Sequence, residues 1–262
     1  NVTFAGNSAT KGLGGAISAT GGLSLGGARF EGNSATGSGG ALALDGGPVQ
    51  ITSTLFLANQ AAAGDGGALR VRGAGTTLTN LVLVGNQAGS EGGAFFVDNA
   101  GASLTQITAV NNTAVVSGSV LFVQSSGLQF ANSVVWQNGP GAIGRQASGF
   151  SFTFNLGDAG ISNTGNLSGD PLFVRLPNPG DGNWATLADN DYGDLRLTRA
   201  SRAIDSGNNT LLPANTPTDL GGQPRRVDIA AVADTGVGPA PIVDMGAYEF
   251  QSQILFLPLL LR

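Results

Sequence analysis

The chain has 262 residues with 12 basic and 17 acidic side chains, a net charge of −5 and a pI near 4.5, a balance that argues against a nucleic-acid partner. There is no cysteine and no histidine, and Lys11 is the single lysine, so disulfides and thiol chemistry are excluded and the side chains most used for proton transfer near pH 7 are nearly absent. A hydrophobic content of 41% is ordinary for a packed protein, so the 43 glycines point to tight turns rather than to disorder.

The chain opens directly inside a repeat, at Asn1-Val2-Thr3-Phe4, with no signal peptide and no transmembrane span in view, as expected of a mature or trimmed form. An asparagine then recurs at Asn7, Asn33, Asn59, Asn86, Asn112 and Asn138, with spacings of 26, 26, 27, 26 and 26 residues. The first four are followed by a Gly-Gly-Ala triplet ending at Ala16, Ala41, Ala68 and Ala94, which becomes Gly118-Ser119-Val120 after the fifth. So regular a period is one rung of a solenoid.

Aligned on the asparagine, each column is a stack of equivalent positions. Ile17, Leu42, Leu69, Phe95 and Leu121 alternate with Ala19, Leu44, Val71, Val97 and Val123 around a variable middle position, the period-two pattern of a strand with one buried face. Further columns lie eight residues before the asparagine (Leu25, Ile51, Leu78, Leu104, Phe130) and three before it (Phe30, Phe56, Leu83, Ala109, Val135). Three short strands per rung with glycine-rich corners and no helical period predict an all-β, single-stranded right-handed parallel β-helix. An amide carries both donor and acceptor, so the six asparagines are expected to hydrogen-bond in a ladder along the stack.

Phe4-Ala5-Gly6-Asn7, Phe30-Glu31-Gly32-Asn33 and Phe56-Leu57-Ala58-Asn59, each followed by Gly-Gly-Ala and Ile or Leu, resemble the repeat of the polymorphic outer membrane proteins, over residues 1 to about 125. That resemblance implies a secreted β-helical surface protein.

The period is lost from Gly139. Phe150–Asn155 alternates and is expected to add another rung, and the Pro/Gly/Asp stretch from Leu176 to Gly193 is expected to be an exposed loop. Four ordered motifs surround that stretch: Asp170-Pro171-Leu172-Phe173, then Ala203-Ile204-Asp205-Ser206-Gly207, then Asp219-Leu220-Gly221-Gly222-Gln223-Pro224-Arg225, then Asp244-Met245-Gly246-Ala247-Tyr248-Glu249. The set resembles the C-terminal part of choice-of-anchor Q β-helix proteins, with Arg202 where that pattern has proline, a longer loop at 177–193 and an insertion at 230–241. The resemblance implies secretion and surface display and assigns no chemistry. The expected organisation is regular repeats over 1–146, final rungs and a C-terminal module over 147–250, and a hydrophobic tail over 251–262. Within the tail, Ile254, Leu255, Phe256, Leu257, Leu259, Leu260 and Leu261 form a candidate assembly segment, too short to span a bilayer and needing burial somewhere.

Few residues promise chemistry. The repeat acids Glu31, Asp45, Asp65, Glu91 and Asp98 read as isolated, and Arg70 and Arg72 read as lacking acidic partners, so neither a hydrolase nor a lyase centre is expected. Asp189-Asn190-Asp191-Tyr192-Gly193-Asp194 could present oxygens to calcium, but it lacks the EF-hand spacing and reads better as a solvated acidic turn. Asp205, Asp219, Asp228 and Asp244 read as turn caps. Phe96 and Phe122 hold the outward strand position, where exposed rings could bind a glycan or a partner protein unless another segment folds over them. The expectation is therefore a non-enzymatic, extracellular or cell-surface structural protein with no cofactor and no metal, self-assembling head to tail as a homopolymer. An adhesin that binds polysaccharide and a polysaccharide-degrading enzyme are the alternatives.

Overall fold

In a computed structural model, which describes residues 2–146, 148–158 and 163–251, the chain winds into a parallel β-solenoid with rungs of about 26 residues. Three parallel sheets run along it. The longest is built from Val2–Ala5, Leu23–Gly26, Ala28–Glu31, Val49–Leu57, Thr76–Val84, Ser103–Val110, Gln129–Trp136, Ser151–Gly157 and Leu167–Ser168. The second stacks Ile17–Ala19, Leu42–Asp45, Leu69–Ala74, Phe95–Ala100, Leu121–Val123 and Ile143–Arg145. The third consists of two-residue strands placed directly after the first five repeated asparagines, from Ser8–Ala9 to Thr113–Ala114.

The columns eight and three residues before the asparagine share one strand rather than forming two. That strand bends at a single left-handed residue, Ser53, Asn80, Gln106 or Asn132, with φ of 46°, 55°, 58° and 51°. One such residue turns the chain while the residues on both sides keep their pairing with the next rung. Side chains on the inner face stack on their copies: the rings of Phe4, Phe30 and Phe56 lie 4.8 and 5.1 Å apart, and with Ile51, Leu69, Phe95, Leu104 and Phe130 they fill the interior.

The Gly-Gly-Ala corner has a steric cause. Its first glycine is left-handed, as at Gly66 with φ 67°, and a Cβ on its second, as at Gly40, would collide with the carbonyl oxygen of Gly67 in the next rung. Ser119 replaces that second glycine where the following rung is shortened, and its hydroxyl donates to the Gly139 carbonyl at 2.6 Å. The one spacing of 27 is absorbed at this corner too. Asn33 precedes Ala41 by eight residues and Asn59 precedes Ala68 by nine, while Ala62 N still donates to Ala35 O and Gly66 N to Glu91 O, both at 2.8 Å.

After Leu167–Ser168 the chain stops adding rungs and turns back along the outside of the long sheet. The outer face of that sheet, with Leu57, Val82, Val84, Val110, Val134 and Leu156, is thereby buried against Phe173, Trp184, Leu195, Leu197, Ile204, Ile229 and Met245. Each fully covered aliphatic side chain contributes about 1.5–3 kcal/mol, so this second core is a major reason for the cover to stay in place. Most of the cover is irregular, with one antiparallel pair, Phe173–Arg175 and Asp194–Leu197.

The stretch 176–193 is largely exposed, as expected, and is held to the long sheet at two points. Trp184 is only 6% exposed; it rests on the bare backbone of Gly85 and stacks on Tyr192 at 5.9 Å, with the Arg29 guanidinium 5.5 Å from the Tyr192 ring. Leu187 covers Gly32 in the same way. Ile254, Leu255, Phe256, Leu257, Leu259, Leu260 and Leu261 lie outside the described residues.

Candidate functional site

Each asparagine of the repeat follows a left-handed residue (Gly6, Gly32, Ala58, Gly85, Asn111, Gln137), which points its amide along the stack. Asn7 Nδ2 donates to Asn33 Oδ1 at 2.8 Å, and the same bond repeats from Asn33 to Asn59, Asn59 to Asn86 and Asn86 to Asn112 at 2.9 Å and from Asn112 to Asn138 at 3.0 Å. The backbone N–H of each donor residue bonds the same oxygen. The second amide hydrogen of Asn33, Asn59, Asn86, Asn112 and Asn138 reaches back to a carbonyl of the preceding rung, at Phe4, Phe30, Phe56, Leu83 and Ala109. Asn33, Asn59, Asn86 and Asn112 are fully buried, and each makes every bond its amide can make.

A second amide column, six residues before the first, does different work. Asn80, Gln106 and Asn132 occupy the left-handed bends and turn their amides outward to receive the C-terminal cover. Asn80 Nδ2 donates to Thr218 O at 2.9 Å, Asn132 Nδ2 donates to Asn208 O at 2.9 Å, and Asn132 Oδ1 accepts from Asn208 N at 2.8 Å. Gln106 fits with its amide nitrogen toward the carbonyls of Gly246, Asp244 and Asn132, at 2.6, 3.2 and 3.1 Å.

Arg225 joins the two layers. It is 1% exposed; its Nη2 donates to Asn80 Oδ1 at 2.6 Å and Ala247 O at 2.7 Å, and its Nη1 donates to Gly246 O at 3.1 Å. Glu249 Oε2 lies 3.6 Å from the guanidinium and accepts the Asp244 N–H. Asp244 accepts the N–H groups of Asp205 and Phe250, and Asp219 those of Gln223 and Glu249. Asp219, Asp244, Glu249 and Arg225 of the last two motifs thus meet at one buried knot, with Asp205 bonded to it through its backbone N–H, and Arg225 reaches 145 residues back to the Asn80 bend. Burial raises the Glu249 and Asp244 carboxyls above the usual range, and it lowers Arg225 against the pull of the same acids. The members of this knot are buried, and it binds cover to solenoid.

The remaining candidates are also resolved by position. Phe96 and Phe122 stack at 5.7 Å and are each only 3% exposed, so of the two readings the rings are covered rather than open. The turn preceding the strand closes over them: a Cβ at Gly144, the next position in their column, would strike both the Phe122 ring and Ser117 Oγ, so the last rung leaves its space to the ring. Arg70 and Arg72 do have acidic partners. Arg70 Nη1 bonds both Asp45 oxygens at 3.1 Å, and Arg72 Nε lies 3.9 Å from Asp98. In the acidic turn, Asp189 accepts the Asp181 N–H, Asp191 accepts the Gly193 N–H and pairs with Arg175, and Asp194 pairs with Arg196, so these acids are spent separately. A cleft of about 820 Å³ beside the last regular rungs is lined by Arg145, Phe150, Phe152 and Asp158, with a single carboxylate facing it among the described residues.

These features define a β-solenoid repeat protein with a folded-back cover. Residues 1–20 and 26–45 match the Chlamydia polymorphic membrane protein repeat. No curated protein and no solved structure matches the chain.

Proposed function

We propose that this chain is a non-enzymatic structural element of a cell surface, a rigid rod whose rungs are made to stack on further rungs of the same kind. The observation that carries the reading is the ladder: every rung offers the next an amide oxygen, an amide N–H and a row of strand groups in one fixed geometry, so a rung edge is a template for another rung. Repetition of that contact between copies gives an open filament. The match to a polymorphic membrane protein repeat and the resemblance of the C-terminal motifs to choice-of-anchor Q proteins support display at the surface. An adhesive or polysaccharide-processing role has less support, because Phe96 and Phe122 are covered, the acids of the last three C-terminal motifs are buried, and the cleft at Arg145 and Asp158 holds one carboxylate among the described residues.

Electron microscopy and sedimentation of the purified chain across a concentration series test the reading. Concentration-dependent filaments with a repeat equal to the rod length are expected. A monodisperse monomer at every concentration, or specific retention on a glycan array, would refute it.

A further inference from the structure

Outside the knot around Arg225, one group of acids has no structural use. Asp205 sits at a left-handed turn with φ 51° and is completely buried, yet neither of its carboxylate oxygens has a hydrogen-bond partner. Its backbone is fully engaged: its N–H donates to Asp244, and its carbonyl accepts from Thr235 N at 2.9 Å and Gly236 N at 3.1 Å. A bond of 2.6 Å between the Ser206 and Thr235 hydroxyls fastens the same two segments, so the side chain is held where it is. The stretch 228–235 brings Asp228 and Asp234 to it, and a carboxylate oxygen from each of the three lies within 4.8 Å of the others. Asp228 and Asp234 are exposed, which leaves the group accessible to water.

A buried carboxylate without donors is costly, and two more carboxylates at this distance add repulsion. Burial above all, then the charge of Asp234, hold Asp205 up at about 6; the Ile229 backbone amide pulls the other way, and Asp228 adds to the rise. A hard dication supplies what is missing, because it accepts oxygens from all three acids at once and neutralises them.

We propose that Asp205, Asp228 and Asp234 form a calcium site that ties the 203–207 turn to the 228–235 loop and so locks the C-terminal cover. Calcium suits it better than magnesium, since irregular ligands from an open turn and several waters satisfy its flexible coordination, whereas magnesium demands near-octahedral order. The sequence alone does not single out this trio, because Asp205 and the 228–235 stretch are separate segments that only the cover's path unites.

The test uses the whole chain, stripped with a chelator and titrated with calcium chloride by calorimetry and by thermal unfolding. Binding in the range of extracellular calcium modules, about 10⁻⁴ to 10⁻³ M, is expected, with a melting point several degrees higher at about 5 mM calcium and a smaller rise in magnesium. Asp228→Asn/Asp234→Asn, at exposed positions, is expected to fold normally and to weaken calcium binding at least tenfold. Asp205→Asn is expected to raise the melting point of the stripped protein and to abolish the calcium increment. Absence of binding by the native chain at about 5 mM calcium, or binding unchanged by the Asp228/Asp234 pair of substitutions, would overturn the assignment.

Discussion

Replacing Asn86 with alanine removes four bonds from the middle of the ladder. Asn86 Oδ1 accepts from Asn59 N at 3.0 Å and from Asn59 Nδ2 at 2.9 Å, while its own amide donates to Phe56 O and Asn112 Oδ1, both at 2.9 Å. Asn112 Oδ1 keeps the Asn86 backbone N–H, but the two Asn59 donors lose their acceptor at a fully buried position. Each orphaned buried donor costs about 1–3 kcal/mol, so the substitution is expected to destabilise by about 3–5 kcal/mol. Asn7→Ala is the internal control. It removes a donor at the exposed end of the ladder, where water replaces the lost bond, and is expected to cost less than about 1 kcal/mol. Asn86→Asp keeps both acceptors but sets a carboxylate against Asn112 Oδ1. Its folded pKa is then raised, so its deficit is smallest below the unfolded value near 3.9 and grows as pH rises. Urea unfolding followed by circular dichroism gives the energies, and hydrogen exchange at the Asn59 amide reports the local opening. Equal costs for Asn7→Ala and Asn86→Ala, or undiminished protection at Asn59, would refute the ladder as a source of stability.

Arg225→Met strips Asn80 Oδ1 of its donor, takes one of two donors from the carbonyls of Gly246 and Ala247, and leaves Asp219, Asp244 and Glu249 without the cation between them. A loss of about 3–5 kcal/mol is expected, with limited proteolysis cutting within 200–250 before it cuts the rungs. Gly85→Ala meets both a left-handed φ of 66° and the Trp184 ring, whereas Gly101→Ala, at φ 74°, has open space around it. Gly101→Ala is expected to cost about 1–2 kcal/mol, and Gly85→Ala more, with a red shift of tryptophan fluorescence that Gly101→Ala lacks. Asp205, Asp244 and Glu249 all have folded pKa values raised by burial, with Arg225 as the cation between Asp219, Asp244 and Glu249 and with Asp228 and Asp234 beside Asp205. Their stabilising contribution is complete below the unfolded range near 4 and is lost as pH rises through about 6 and beyond, so in chelator the melting point is expected to be higher at pH 5 than at pH 8. A flat or inverted profile would count against the buried acids. Phe122→Ala is expected to cost about 3–5 kcal/mol and to change no glycan signal.

The repeat makes the solenoid legible, because an identical side chain every 26 residues has to meet its own copy in a parallel stack. The second amide column is much less visible. Gly27 and Ser53 hold earlier positions of it, and the amides that bond the cover stand at Asn80, Gln106 and Asn132. Alternation correctly sets Phe96 and Phe122 on the outer side of their strand, but it carries no information about which turn closes over an outer side. The Arg70 to Asp45 pair is diagonal: Arg72, two residues on, is the direct partner of Asp45, so matching residues in register misses it. The same limit applies to Asp205, Asp228 and Asp234. Four ordered motifs announce a C-terminal module, yet the fold-back that makes Arg225 touch Asn80 depends on packing across the long sheet and leaves no local periodicity.

The single extra residue between Asn59 and Ala68 has a practical meaning. At this corner the chain lengthens without disturbing either the amide ladder or the glycine stack, since the flanking rung-to-rung bonds at Ala62 and Gly66 are kept. Solenoids whose corners behave this way can vary their outline while conserving their axis. The segment 62–65 is therefore a natural graft point: a foreign epitope spliced there would be carried at a fixed height on the rod, and a row of such grafts would be spaced by the pitch of the strands themselves, roughly 4.8 Å.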